Sequence, residues 1–191
     1  SLQGAGFSKL QEIGAAISQF KSSGKKVYAV ADLYTQGQYY LATYADEIML
    51  NPRGGVDLEG FSSYQTYYGT ALDKLGVNVH VFRVGEFKSA VEPFERDDMS
   101  PEAKLANSAW LGDLWQSFVE DISREREFDP GFVDELISTL DQQLNNYAGD
   151  NAELALQIGL VDSVLSRTDI QNHLEEEIGT TLTGSSYKHI D

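Results

Sequence analysis

The chain reads as an α/β domain with a mostly parallel sheet. Two observations predict this: amphipathic helices alternate with short apolar strands, and glycine and proline punctuate the boundaries. At 191 residues with 41% hydrophobic content, the chain can bury a core of ordinary size. A single domain over 1–179 with a polar tail over 180–191 is the economical division.

The elements follow in order. Ser8-Lys9-Leu10-Gln11 fits a capping box, and Leu10, Ile13, Ile17 and Phe20 recur at helical spacing up to Gly24. Val27-Tyr28-Ala29-Val30-Ala31 is the apolar run of a buried strand. Residues 36–44 read as helix, 47–50 as extended, and Asn51-Pro52-Arg53-Gly54-Gly55 as loop. A helix over 63–75 would place Tyr67, Tyr68, Ala71, Leu72 and Leu75 on one face and end at Gly76. The alternation over 77–83 predicts a strand. Ser100-Pro101-Glu102 opens a long helix to about Glu127, with Leu111, Leu114, Trp115, Phe118 and Ile122 as its apolar stripe. A short helix follows Asp129-Pro130, another spans 151–158 up to Gly159, Leu160-Val161-Asp162 is extended, and 169–178 forms a last helix before Gly179.

Composition excludes several functions. With 30 acidic and 14 basic residues the net charge is −16, which repels nucleic-acid backbones and anionic membrane surfaces. The absence of cysteine rules out disulfides, thiolate metal sites and a cysteine nucleophile. His80, His173 and His189 have no metal spacing, and no phosphate-binding or dinucleotide-binding glycine loop occurs. Glu175-Glu176-Glu177 reads as a solvated helix face, and Glu95-Arg96-Asp97-Asp98 lacks the ligand pattern of a calcium loop. Nothing requires a cofactor or a metal. The opening Ser1-Leu2-Gln3-Gly4-Ala5-Gly6 reads like the interior of a longer protein, so the chain is taken as an excised part of an incomplete fold.

One residue invites a catalytic reading. Lys88 follows the 77–83 alternation and is flanked by Gly85, Phe87 and Val91. A loop lysine is ordinarily a solvated charge. Desolvation disfavours the ammonium form, however, and a neutral amine near pH 7 can take a proton from a serine.

The run Phe87-Lys88-Ser89-Ala90-Val91-Glu92-Pro93-Phe94, continued by Glu95-Arg96-Asp97-Asp98-Met99-Ser100-Pro101-Glu102-Ala103, resembles the general-base segment of the signal peptide peptidase A (protease IV) family, peptidase family S49. The segments Gly24-Lys25-Lys26-Val27-Tyr28-Ala29-Val30, Gln36-Gly37-Gln38-Tyr39-Tyr40-Leu41-Ala42 and Val56-Asp57-Leu58-Glu59-Gly60-Phe61 are similar to the amino-terminal half of its long, two-domain form. The stretch from Ala155 to Asp162 resembles an ending shared with Clp-protease and crotonase relatives. The resemblance implies a Clp protease/crotonase-like fold of repeated ββα units and a Ser–Lys peptidase with Lys88 as general base. It also implies an oxyanion loop at Gly4-Ala5-Gly6, signal peptides as substrates, a homo-oligomer that is tetrameric in the long form, and a periplasm-facing place at the bacterial inner membrane. Gln36 stands where relatives carry the nucleophilic serine. The serine is therefore expected in a carboxy-terminal domain of the same protein, with Ser62, Ser63 and Ser89 as weighed alternatives. A non-catalytic scaffold domain, which guides peptides and shapes the assembly, is the other reading; a crotonase-type acyl-thioester enzyme would need a coenzyme A pocket, for which there is no basic patch.

Overall fold

The computed structural model describes residues 5–80 and 89–178. They fall into two compact units: one runs to Glu59 and resumes at Val119, the other spans Gly60–Phe118.

The first unit carries a three-stranded parallel sheet in the order β1-β2-β3, with β1 at Tyr28–Ala31, β2 at Glu47–Leu50 and β3 at Ser163–Val164. β2 is central, and its Ile48, Met49 and Leu50 have no exposed surface, as expected of a strand covered on both faces. Helices α1 (Phe7–Lys21) and α2 (Gln36–Ala42) precede β1 and β2. Tyr39 and Tyr40 of α2 are fully buried, and their hydroxyls donate to Leu160 O (2.9 Å) and Asp121 Oδ2 (2.7 Å). Buried aromatic rings with satisfied hydroxyls thus fill the core beside the sheet.

Several expectations are corrected here. α1 starts from Gly6, whose carbonyl accepts from Lys9 N and Leu10 N, so Ser8 already lies within the helix. Gln11, the partner a capping box at Ser8 would need, donates to Asp121 Oδ2 at 3.2 Å instead. Ile13 and Phe20 of the expected apolar face are exposed. β1 is an edge strand rather than a buried one, with Val30 49% exposed, because it has a partner on one side only among the described residues. β3 lies just beyond the 160–162 stretch: Leu160 N and Val161 N return to Ala155 O at the helix end, and pairing begins only with Asp162 N to Ile48 O.

The rest of this unit comprises α6 (Phe132–Asn146), longer than expected, α7 (Asn151–Gln157) and α8 (Arg167–Ile178). Asp150 caps α7 by accepting from Ala152 N and Glu153 N, and Gly159 at φ +77° ends the turn beyond it. Gly179, expected to close α8, and the tail lie outside the described residues.

The second unit holds α3 (Gly69–Lys74), a 3-10 turn at Ser89–Val91, α4 (Glu92–Glu95) and the first part of α5 (Pro101–Arg126), within which the boundary between units falls. Phe61, Trp115 and Phe118 form its aromatic cluster, with Trp115 stacked on Phe118 at 5.4 Å. α3 begins well after Ser63, because the donors at its start are drawn to the segment after Lys88. Tyr68 N donates to Pro93 O (2.7 Å), Gly69 N to Arg96 O (3.1 Å) and Thr70 N to Asp97 Oδ1 (2.7 Å). Residues 77–80 are not in a strand, and the remainder of that expected strand lies outside the described residues.

Candidate active site

Lys88 itself lies outside the described residues; the chain becomes described at the turn that follows it. What the structure shows is how the continuation is anchored. Glu92 opens α4 and is 5% exposed, yet it is a carboxylate. Its Oε2 accepts from Ser100 N (3.1 Å) and its Oε1 from Ser100 Oγ (2.5 Å). Ser100 Oγ in turn accepts from Ala103 N at 3.1 Å, the N-cap bond predicted for α5. One serine thus both starts a 26-residue helix and satisfies a buried acid four positions after Lys88. Buried carboxylates are tolerated only with such partners.

The acidic run beyond α4 has structural employment. Asp97 receives Thr70 N and Thr70 Oγ1, and these bonds hold its carboxyl below the usual range. Asp98 meets Lys104 at 3.3 Å and Arg96 at 3.2 Å, which likewise lower it. Among the described residues no three of His, Cys, Asp and Glu are placed to hold a metal ion.

Gln36, which the resemblance sets where a nucleophilic serine is expected, is the first residue of α2, and its Oε1 accepts from Glu59 N at 3.0 Å. An amide so placed fixes a loop and supplies no nucleophile. Ser62 and Ser63 are both exposed in a stretch without helical turns. The side chain of Ser89 and all of Gly4 lie outside the described residues, and Gly6 serves as the N-cap of α1. His80 is in a loop rather than a strand. His173 Nε2 meets Glu47 Oε2 at 2.9 Å, tying α8 to β2. Glu177, in the run read as solvated, pairs with Lys26 at 2.6 Å ahead of β1.

Sequence reasoning found Ser100 as a cap but missed Glu92 as its partner. The signal was an acid directly before Pro93 in an otherwise apolar run; nothing local says that a serine eight residues on will cover it.

These features define an α/β domain with a small parallel sheet and a lysine-containing motif whose continuation is tightly anchored. The model of peptidase family S49 matches residues 19–180, and the chain belongs to that family. It is 45% identical over 187 residues to Protease 4 of Salmonella typhi, covering 98% of this chain and 30% of that protein. Protease 4 of Haemophilus influenzae is 44% identical over 187 residues, with 96% and 30% covered. A chloroplastic serine protease SPPA of Arabidopsis thaliana is 23% identical over 178 residues, with 91% and 24% covered. The chain thus spans about 30% of the length of the bacterial relatives. No helix among the described residues is long and apolar enough to cross a membrane.

Proposed function

We propose that this domain contributes Lys88 as the general base of a Ser–Lys peptidase whose nucleophilic serine lies in a carboxy-terminal domain of the same protein. The observation that carries the reading is the resemblance of 87–103 to the general-base segment, in a chain of this peptidase family with Gln36 where that resemblance expects a serine. The anchoring of Glu92 by Ser100 supports it, since a base must be held to within a fraction of an ångström of its target.

In this mechanism the serine hydroxyl attacks the scissile carbonyl while the neutral Lys88 amine accepts its proton. As the tetrahedral intermediate collapses, the C–N bond breaks and the ammonium returns the proton to the departing amine; water then releases the acyl group by the same relay. Removal of water around Lys88 on assembly keeps the amine neutral. The substrates are cleaved signal peptides at the bacterial inner membrane, and the working form is a homo-oligomer, a tetramer in the full-length protein. No cofactor takes part. Gln36 favours one other reading, in which the domain is a scaffold that guides peptides without chemistry.

The test is peptide hydrolysis by the full-length parent carrying Lys88→Ala. A base of this kind contributes about 10²- to 10⁴-fold, so activity falls by at least that lower factor. Activity retained in the variant refutes the role and leaves the scaffold. The isolated chain folds and shows no hydrolysis; turnover by it, abolished by Lys88→Ala, would place the serine within these 191 residues.

A further inference from the structure

We propose that Asp97 is a positioning residue for the peptidase reaction. By capping α3 from outside the helix, it pins the far end of the segment that follows Lys88 and so sets where the Lys88 amine stands in the working enzyme.

The six-residue helix α3 has no capping side chain at Tyr68, so its first main-chain donors need acceptors from elsewhere. The segment after Lys88 supplies them. Pro93 O accepts from Tyr68 N (2.7 Å), Arg96 O from Gly69 N (3.1 Å) and Asp97 Oδ1 from Thr70 N (2.7 Å). Asp97 Oδ2 also accepts from Thr70 Oγ1, so one carboxylate holds both the main chain and the side chain of Thr70. This is the N-cap bond to the second helical residue, made here by an acid 27 positions away. The two main chains meet closely, since a Cβ on Gly69 would lie 2.8 Å from Arg96 O.

From Ser89 the chain runs through the 3-10 turn at Ser89–Val91 straight into α4, and Arg96 N returns to Glu92 O at 2.9 Å. Hydrogen-bonded turns carry a constraint at one end to the other, here to the residue directly after Lys88. The bonds of Glu92 to Ser100 are one anchor of this segment. The clasp at Asp97 is a second, and two anchors fix an orientation that one leaves free. Asp98 cannot take over, because its oxygens meet Arg96 at 3.2 Å and Lys104 at 3.3 Å. A reacting group displaced by about 1 Å loses on the order of 10²-fold in rate, so the second anchor matters to the chemistry.

The inference rests on Lys88 being the general base. Its test is peptide hydrolysis by the full-length parent across pH, comparing Asp97→Ala, Thr70→Val, Thr70→Ser and Lys88→Ala. A base that must be neutral gives activity that rises with pH. A looser, wetter amine is more basic, so loss of the clasp moves this acid limb of kcat/KM to higher pH. Asp97→Ala lowers kcat at least about tenfold and raises the limb by about half a unit or more, with KM within about twofold of the parent. Thr70→Val keeps the shape, loses the hydroxyl bond and moves the limb the same way by less; Thr70→Ser keeps the bond and matches the parent. If Asp97→Ala shows no cooperative urea transition, Thr70→Val decides, and its parental profile then overturns the proposal. A lower kcat with an unmoved limb marks a merely structural role and also overturns it. So does parental behaviour of Asp97→Ala and Thr70→Val beside an inactive Lys88→Ala, a result that leaves the base reading standing. Activity retained in Lys88→Ala overturns both.

Discussion

Replacing Glu92 with alanine removes the acceptor of two hydrogen bonds from Ser100, one from its main-chain N–H at 3.1 Å and one from its hydroxyl at 2.5 Å. Bonds to a charged group are worth about 1.5–3 kcal/mol each, and burial at 5% exposure leaves little room for water to replace them. Allowing for the desolvation relieved when the carboxylate goes, the loss is about 3 kcal/mol. Ser100→Ala removes the hydroxyl bond and the cap of α5, about 2–3 kcal/mol in all. The hydroxyl bond is common to both variants, so the double variant should lose about 1.5 kcal/mol less than the sum. Urea unfolding followed by tryptophan fluorescence is a suitable assay, because Trp110 and Trp115 are the only tryptophans and both lie in the second unit. With a slope of about 2 kcal/mol per molar urea, Glu92→Ala lowers the midpoint by about 1.5 M. Additivity of the two single changes within about 0.5 kcal/mol would refute the claim that this pair anchors the segment after Lys88.

Further outcomes follow from the same contacts. Burial raises the Asp121 carboxyl, but hydrogen bonds from Tyr40, Arg124 and Gln11 outweigh it and hold the group below its usual range. A depressed carboxyl contributes stability above its unfolded pKa, about 3.9, which is lost as pH falls through the lower folded value. Thermal melts should therefore decline below about pH 4, and Asp121→Asn should flatten that limb; an unchanged limb counts against the network. Tyr34, Tyr39 and Tyr40 are pushed upward chiefly by burial, so their contribution is complete below about pH 10 and is lost as pH rises further. Absorbance titration should show them ionising only on alkaline unfolding; a single early tyrosine phase would contradict the buried cluster. A Cβ at Gly69 would lie 2.8 Å from Arg96 O and 2.9 Å from Arg96 C, so Gly69→Ala destabilises the second unit by about 1–3 kcal/mol. A fluorescence midpoint matching that of the parent chain would show that the segments can part freely.

Much of the architecture was legible because it is written locally. Apolar period and end signals placed β2 at Glu47–Leu50, α7 after Asp150, and α5 after Ser100 with Pro101 as its first residue, since each boundary depends on residues within one turn of it. The α/β class follows from the same alternation, and Lys88 stands out through the motif around it rather than through any local physical pattern. Tertiary structure decided the rest. The same apolar run would make β1 central or peripheral; the absence of a second partner among the described residues makes it an edge. Periodicity put the start of α3 near Ser63, but its donors go to Pro93, Arg96 and Asp97, more than twenty positions away, and the helix waits until Gly69. Glu92 is invisible as an anchor until α5 brings Ser100 over it. Local sequence sets which conformations a segment prefers, whereas a hydrogen-bond donor or a buried charge is satisfied by whichever distant group the fold brings within 3 Å, and no periodic pattern encodes that meeting.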